Sequence, residues 1–273
     1  MTRSFHQFSC EDALLAGTLD QGTKPIGLLI VSGGNEVKAG AHAGMARLAN
    51  HIADQGFPVF RYDRRGIGDS SGINQGFLES CADIAAATEY FRTLHPGLTK
   101  IVAFGNCDAA TALALFNHRI AVDQLILANP WVIEDNGGSA ESPAAPPPSA
   151  IRSRYWARLK NPQSIIDLIT GKIDLRKLAK GLRQATQKQD NKGLAIRLSE
   201  SLARLKKPTQ ILLASRDTTA RAFVAAWESK DFAGARSSSH IVIEKLDSAS
   251  HSFADETSRR WLENHLLEAL KNA

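Results

Sequence analysis

Apolar runs recur along this chain with room for a helix between each and the next. Ile26 to Ser32 reads Ile-Gly-Leu-Leu-Ile-Val-Ser, bounded by Pro25 and by Gly33-Gly34. Phe57 to Tyr62, Ile101 to Phe104, Gln124 to Ala128, Pro208 to Ala214 and His240 to Leu246 are further strand-like runs. A run without polar alternation fits a strand covered on both faces. Between the runs lie stretches with helical spacing. Residues 44–55 place Met45, Leu48, Ala49 and Ile52 on one stripe, and 78–94 do the same with Cys81, Ile84, Ala85, Thr88 and Phe91. Residues 108–118, 221–229 and 252–271 complete the set. Strands alternating with helices predict an α/β fold, a mostly parallel sheet with right-handed crossovers and helices on its faces. Residues 3–10 and 13–19 read as a hairpin placed before it.

One block breaks the alternation. After Asn129-Pro130 come Gly137-Gly138 and a Pro/Ala/Ser stretch from Ser142 to Ala150, which suits neither a sheet nor a helix interior. Residues 151–205 then read as helices without a strand. The expected domains are therefore a core of 1–130 and 206–273 and a helical cap inserted over 131–205. The insertion leaves from the carboxyl end of a strand, the edge at which open α/β sheets bind ligands. It is also where the charge sits. Residues 151–207 hold fifteen Lys and Arg against four Asp and Glu, an excess larger than the whole chain's +5. Tyr155 and Trp156 are the only aromatics there and no nucleic-acid-binding motif accompanies them, so no nucleic acid partner is expected. A solvated helical face, or a cap that draws an anionic substrate inward, fits better.

At 273 residues, with 43% hydrophobic and 22% charged, the chain has ample material for a core. No run reaches the roughly 18 apolar residues of a membrane span. Met1 to Gln7 lacks the apolar stretch of a secretory signal, so the expected location is cytoplasmic. Cys10, Cys81 and Cys107 are odd in number and widely spaced, which suits reduced thiols rather than a disulfide framework or a metal site.

Chemistry enters at Ile101-Val102-Ala103-Phe104-Gly105-Asn106-Cys107-Asp108-Ala109-Ala110, an apolar run that meets an alanine-rich helix through Gly-x-Cys-x-Ala. A nucleophile at the tip of such a turn needs small residues two places to either side, and Gly105 and Ala109 provide them. The helix would aim its positive end at the sulfur and favour the thiolate. Asp108 beside it pushes the other way. The pentapeptide alone also fits a buried core cysteine. Two residues argue for more. Asp217 follows the run ending at Ala214 and His251 follows the run ending at Leu246, so parallel strands would deliver both to one sheet edge. A histidine could take the thiol proton there while a carboxylate fixes its tautomer. Glu134 and Asp135, after the strand ending at Ala128, offer a competing acid.

These residues resemble the α/β-hydrolase superfamily over nearly the whole chain from Ile26 onward. Gly105-x-Cys107-x-Ala109 is similar to its nucleophile elbow with cysteine for serine, and Cys107, Asp217 and His251 come in its order of nucleophile, acid and histidine. Arg61 to Gly72 resembles its D-x-R-G-x-G-x-S loop, which implies that Asp63, Gly66, Gly68 and Ser70 shape a loop. Ser32-Gly33-Gly34-Asn35 stands where the oxyanion loop would be, with Ser32 in place of a common histidine. The resemblance implies an oxyanion hole of the backbone N–H groups of Asp108 and of Gly34 or Asn35. Within the superfamily the chain most resembles the exosortase A system-associated hydrolase 1 group, found with bacterial exopolysaccharide and protein-sorting loci. That likeness rests on Ser32 to Asn35 with Gly40-Ala41-His42, on Tyr62 to Gly66 and on Gly105 to Ala109. Dienelactone hydrolases share the Cys-His-Asp set, but their elbow is Gly-x-Cys-x-Gly and they lack a large basic insertion.

The implied activity is cleavage of an ester or thioester through a covalent acyl-enzyme on Cys107, with no cofactor or metal. An acyltransferase on the same residues and a silent interaction module are the alternatives. The substrate would be a small-molecule or carrier-bound acyl compound, anionic where the basic segment draws it in, and the oligomeric state stays open.

Overall fold

A computed structural model describes residues 2–133 and 193–273. The expectations placed on residues 134–192, including Glu134, Asp135 and the body of the basic insertion, lie outside the described residues. Among the described residues eight strands form one sheet in the order β1-β2-β4-β3-β5-β6-β7-β8. They are β1 (Arg3–Cys10), β2 (Ala13–Asp20), β3 (Ile26–Val31), β4 (Val59–Tyr62), β5 (Lys100–Asn106), β6 (Gln124–Ala128), β7 (Thr209–Ala214) and β8 (Ile241–Leu246). The β1–β2 hairpin turns at Glu11 and joins β4 antiparallel; every pairing from β4 to β8 is parallel. This is the α/β-hydrolase fold.

Side-chain alternation explains why the central strands read as unbroken apolar runs. Leu29, Val31, Ala103, Leu125, Leu127, Ile211 and Leu213 face one core, with helices α2 (Cys81–Leu94) and α3 (Asp108–Phe116). Leu28, Ile30, Val102, Phe104, Ile126, Leu212 and Ala214 face the other, with α1 (Gly44–Asp54). Both faces are roofed, so neither needs polar residues. Each such Leu or Ile contributes roughly 1.5–3 kcal/mol by leaving water. β8 lies at the sheet edge and is only partly buried, which is why its run carries Glu244 and Lys245. Cys81 and Cys10 are both buried in the first core.

Helix α4 (Leu194–Ala203) comes from the stretch that the sequence groups with the insertion. It packs on α3 of the core, because Leu194, Leu198 and Leu202 form a buried stripe at helical spacing. Helix α5 (Thr218–Trp227) begins three residues before the expected start. The Asp217 carboxylate explains this, since it accepts from Ala220 N at 3.0 Å and caps the first turn. Helix α6 (Glu256–Asn272) begins later than expected, capped by Asp255 on Ser258 N. Among the described residues no helix is long and apolar enough to cross a membrane.

The Asp63 to Gly72 segment is a scaffold. Asp63 is fully buried and accepts from Lys38 N, from Lys38 Nζ at 2.7 Å and from Asp69 N at 3.1 Å. Ser70 Oγ donates to Asp63 O and accepts from Ala16 N. These bonds tie the loop after β3 to the loop after β4, and so hold Gly33 and Gly34 above the end of β5.

Candidate active site

Cys107 sits between β5 and α3 at φ 62°, ψ −126°, a region that costs a non-glycine residue about 1–3 kcal/mol. Three hydrogen bonds and a small neighbour hold it there. Its N–H donates to Ala128 O, its carbonyl accepts from Thr111 N and Trp131 N, and Gly105 lets the helix close on the strand. A Cβ on Gly105 would lie 2.8 Å from the Ala109 carbonyl carbon. The strand, strained turn and helix expected from Gly-x-Cys-x-Ala are all present, with Cys107 at the tip.

Asp217 and His251 meet as well. His251 Nδ1 lies 3.0 Å from Asp217 Oδ2, with the carboxylate buried and the ring about two-fifths exposed. The same carboxylate caps α5, so one group fixes both the helix and the ring. Arg216 N donates to Ser248 O and ties the two loops together. No protein hydrogen bond engages His251 Nε2 among the described residues.

The His251 loop is fixed from below by two residues that the sequence reading did not single out. Asn129 is fully buried at φ 42° and donates through Nδ2 to His251 O at 3.1 Å and to Asn106 Oδ1 at 3.2 Å. Its Oδ1 accepts from Ala214 N at 2.9 Å, and Asn106 Nδ2 also donates to His251 O at 3.1 Å. One buried amide therefore joins the ends of β5, β6 and β7 to the histidine loop. The available signal was an asparagine, directly before Pro130, at the tip of a buried strand.

Cys107 and His251 line one cavity of about 130 Å³, together with Ser32, Gly34, Met45 and Phe253. Its electrostatics oppose a free thiolate. Burial pushes the Cys107 thiol up to about 12, and the negative charges of Asp108, Asp217 and Glu36 add to that, against a smaller pull from the Asp108 backbone N–H group. The helix end, expected to favour the thiolate, is outweighed first by burial of the thiol and then by the Asp108 carboxylate at the helix's first residue. Burial also raises Asp108, although Arg64, the Gly34 and Ala109 N–H groups and His251 oppose it.

Of the expected oxyanion donors, one is already bonded. Gly34 N donates to Asp108 Oδ1 at 2.6 Å, and Gly34 O accepts from Arg64 Nη2. Asn35 is exposed and its side chain accepts from Asn74. Among the described residues no cluster of His, Cys, Asp and Glu is arranged to hold a metal ion.

Comparison with known proteins agrees with this architecture. Residues 25–258 match the family model described as serine aminopeptidase, S33. The chain belongs to the serine aminopeptidase S33 family. That places it among the α/β-hydrolases, with Cys107 at the elbow of a family described by its serine. An esterase of Pyrococcus furiosus, Pf2001, is 13% identical with a TM-score of 0.66, over 99% of this chain and 92% of that one. Proline iminopeptidase of Mycobacterium smegmatis is 13% identical with a TM-score of 0.61, over 98% of each chain. Est1E of Butyrivibrio proteoclasticus, solved with ferulic acid bound, is 15% identical with a TM-score of 0.59, over 98% and 96%. At these identities the likeness is one of fold. No curated protein matches the chain by sequence.

Proposed function

We propose that this S33-family hydrolase cleaves an ester or thioester through Cys107, His251 and Asp217. The observation that carries the reading is the His251–Asp217 contact at 3.0 Å, set in the wall of the cavity that Cys107 also lines. With a thiol pushed up to about 12, attack depends on a base at the moment of bond formation. His251 Nε2 takes the Cys107 proton as sulfur bonds to the acyl carbon. It returns the proton to the leaving alcohol or thiol as the old bond breaks, which leaves an acyl-enzyme. Water then attacks that carbon and gives its proton to His251. The carboxylic acid departs and the thiol is restored. Asp217 holds the Nδ1–H tautomer and stabilises the imidazolium. Backbone N–H groups of Asp108 and of Gly34 or Asn35 receive the oxyanion.

The substrate suggested is a small or carrier-bound acyl compound, drawn in by the basic segment 151–207 if it is anionic. The resemblance to the exosortase-associated group suggests an acyl compound of a bacterial exopolysaccharide or protein-sorting system, handled in the cytoplasm. In the test, Cys107→Ala and His251→Ala are assayed on short aryl esters and acyl thioesters. Each should lower turnover by about 10³-fold or more. Undiminished turnover in either removes the mechanism. A second reading, a hydrolase-fold module without turnover, is favoured by one observation: the Asp108 carboxylate already engages the Gly34 N–H group. Turnover lost in both variants counts against it.

A further inference from the structure

Two backbone segments converge on the start of α3, and what lies between them is a side chain of the protein itself. Gly33 comes down so close to the elbow that a Cβ there would lie 2.4 Å from Asn106 O and 2.8 Å from Asp108 Oδ1. The next residue donates its N–H to that same Oδ1 at 2.6 Å, across 74 residues of sequence. The Ala109 N–H group supports the carboxylate from α3, and the Arg64 guanidinium, bonded to Gly34 O, favours its charged form. A carboxylate held by two amides at the positive end of a nine-residue helix is well matched to its site. Beside it, Ser32 is 4% exposed and its Oγ has no hydrogen-bond partner. Ser32, Gly34 and Cys107 line one cavity. Ser32, with its unpartnered hydroxyl, therefore stands at one small space with Gly34 and Cys107, and a carboxylate from within the chain already occupies the Gly34 amide.

We infer that Asp108 is an internal ligand of a carboxylate-binding site, occupying on Gly34 the place that a small external carboxylate would take. The inference rests on the proposed function only in equating that place with the acyl-oxygen position. Ester cleavage releases a carboxylic acid at this spot, so Asp108 imitates the bound product. Being tethered, it competes at a high effective concentration. A substrate oxygen reaches Gly34 N only as Asp108 withdraws, and free carboxylates are kept off the thiol.

The probe is sodium acetate, and the readout is iodoacetamide alkylation of Cys107 in the full chain, with sodium chloride at matched ionic strength as control. In Asp108→Ala the amide is vacant. Acetate should slow alkylation there in proportion to its concentration, about tenfold once it stands roughly tenfold above its dissociation constant. Asp108→Ser, a second variant with a shorter side chain, should respond likewise. Wild type and Asp108→Asn should not respond, because an asparagine oxygen still accepts from Gly34 N. The Gly34 amide resonance gives a second measurement: acetate should move it in the Ala and Ser variants and leave it in place in the other two. No response in both Ala and Ser, or an equal response in wild type, overturns the inference. Neither readout needs turnover. Acetate protection without ester cleavage sustains the inference and sinks the hydrolase reading, and cleavage without protection does the reverse.

Discussion

Asp217 stands beside His251 and Asp108 beside Cys107 at the rim of one cavity that His251 and Cys107 line, and the two pairs are built oppositely. The Asp217 carboxylate is buried, yet it is answered by the Ala220 N–H group and by the imidazole. Its charge is useful where it sits. The Asp108 carboxylate is half-buried and also answered, by Gly34 N, but it lies beside a thiol whose ionisation it opposes. In the proposed reaction one carboxylate would prepare a base and the other restrain a nucleophile. Two carboxylates that both accept from backbone N–H groups would thus have opposite chemical effects, decided by which neighbour the charge faces.

The sharpest way to break this contrast is to remove the charge of Asp217 and keep its shape. Asp217→Asn can keep an oxygen at the Oδ2 position that serves both Ala220 N and His251 Nδ1, but it loses the charge that stabilises the imidazolium. Turnover should fall about 10²–10⁴-fold, with thermal stability changed by no more than about 1 kcal/mol. A drop of less than tenfold would make Asp217 a helix cap alone. Next in size is the support beneath the ring. Asn129→Ala strips partners from Ala214 N, and from His251 O in part, inside the protein. Each buried group left unpaired costs about 1–3 kcal/mol, so urea denaturation should show a loss of roughly 2–5 kcal/mol. Asn106→Ala should lose less, because Asn129 still holds His251 O. Equal losses would mean that the two amides do not divide the work in this way.

The smallest effect sharpens the nucleophile side. A thiol pushed up to about 12 is almost wholly protonated at neutral pH. Below that value the thiolate fraction, and with it the iodoacetamide rate, rises about tenfold per pH unit. The rate should still be climbing above about pH 10, where an ordinary cysteine of pKa about 8.5 has levelled off. Asp108→Asn removes one negative neighbour and leaves the burial, so the curve should move to lower pH, with a rate near pH 8 up by about tenfold. A wild-type plateau by about pH 10 would contradict the electrostatics described.

The strands were legible in the sequence for a definite reason. A parallel sheet roofed on both faces must be apolar on both, and runs such as Ile26 to Val31 can hardly mean anything else. Cys107, Asp217 and His251 were legible because each follows such a run, and parallel strands bring those loops to one edge. The stripe Leu194, Leu198 and Leu202 was equally regular, but the basic residues around it drew the reading toward the insertion. Neither the Asn129 clamp nor the seat of Asp108 could be read in advance. Their partners are backbone groups of other loops, His251 O, Ala214 N and Gly34 N, and a sequence does not say where its amides will point. The direction of the Cys107 shift was also hidden, since helix end, burial and Asp108 act on one atom and only their distances rank them.

The central claim is that Cys107 carries the acyl group with His251 as its base. The most direct measurement is intact-protein and peptide mass spectrometry after a brief mixing with an aryl acetate. A single added acetyl group on Cys107 in wild type, absent from Cys107→Ala and strongly reduced in His251→Ala, is the predicted result. Turnover of the ester with no adduct at Cys107, or with the adduct on another residue, would contradict it.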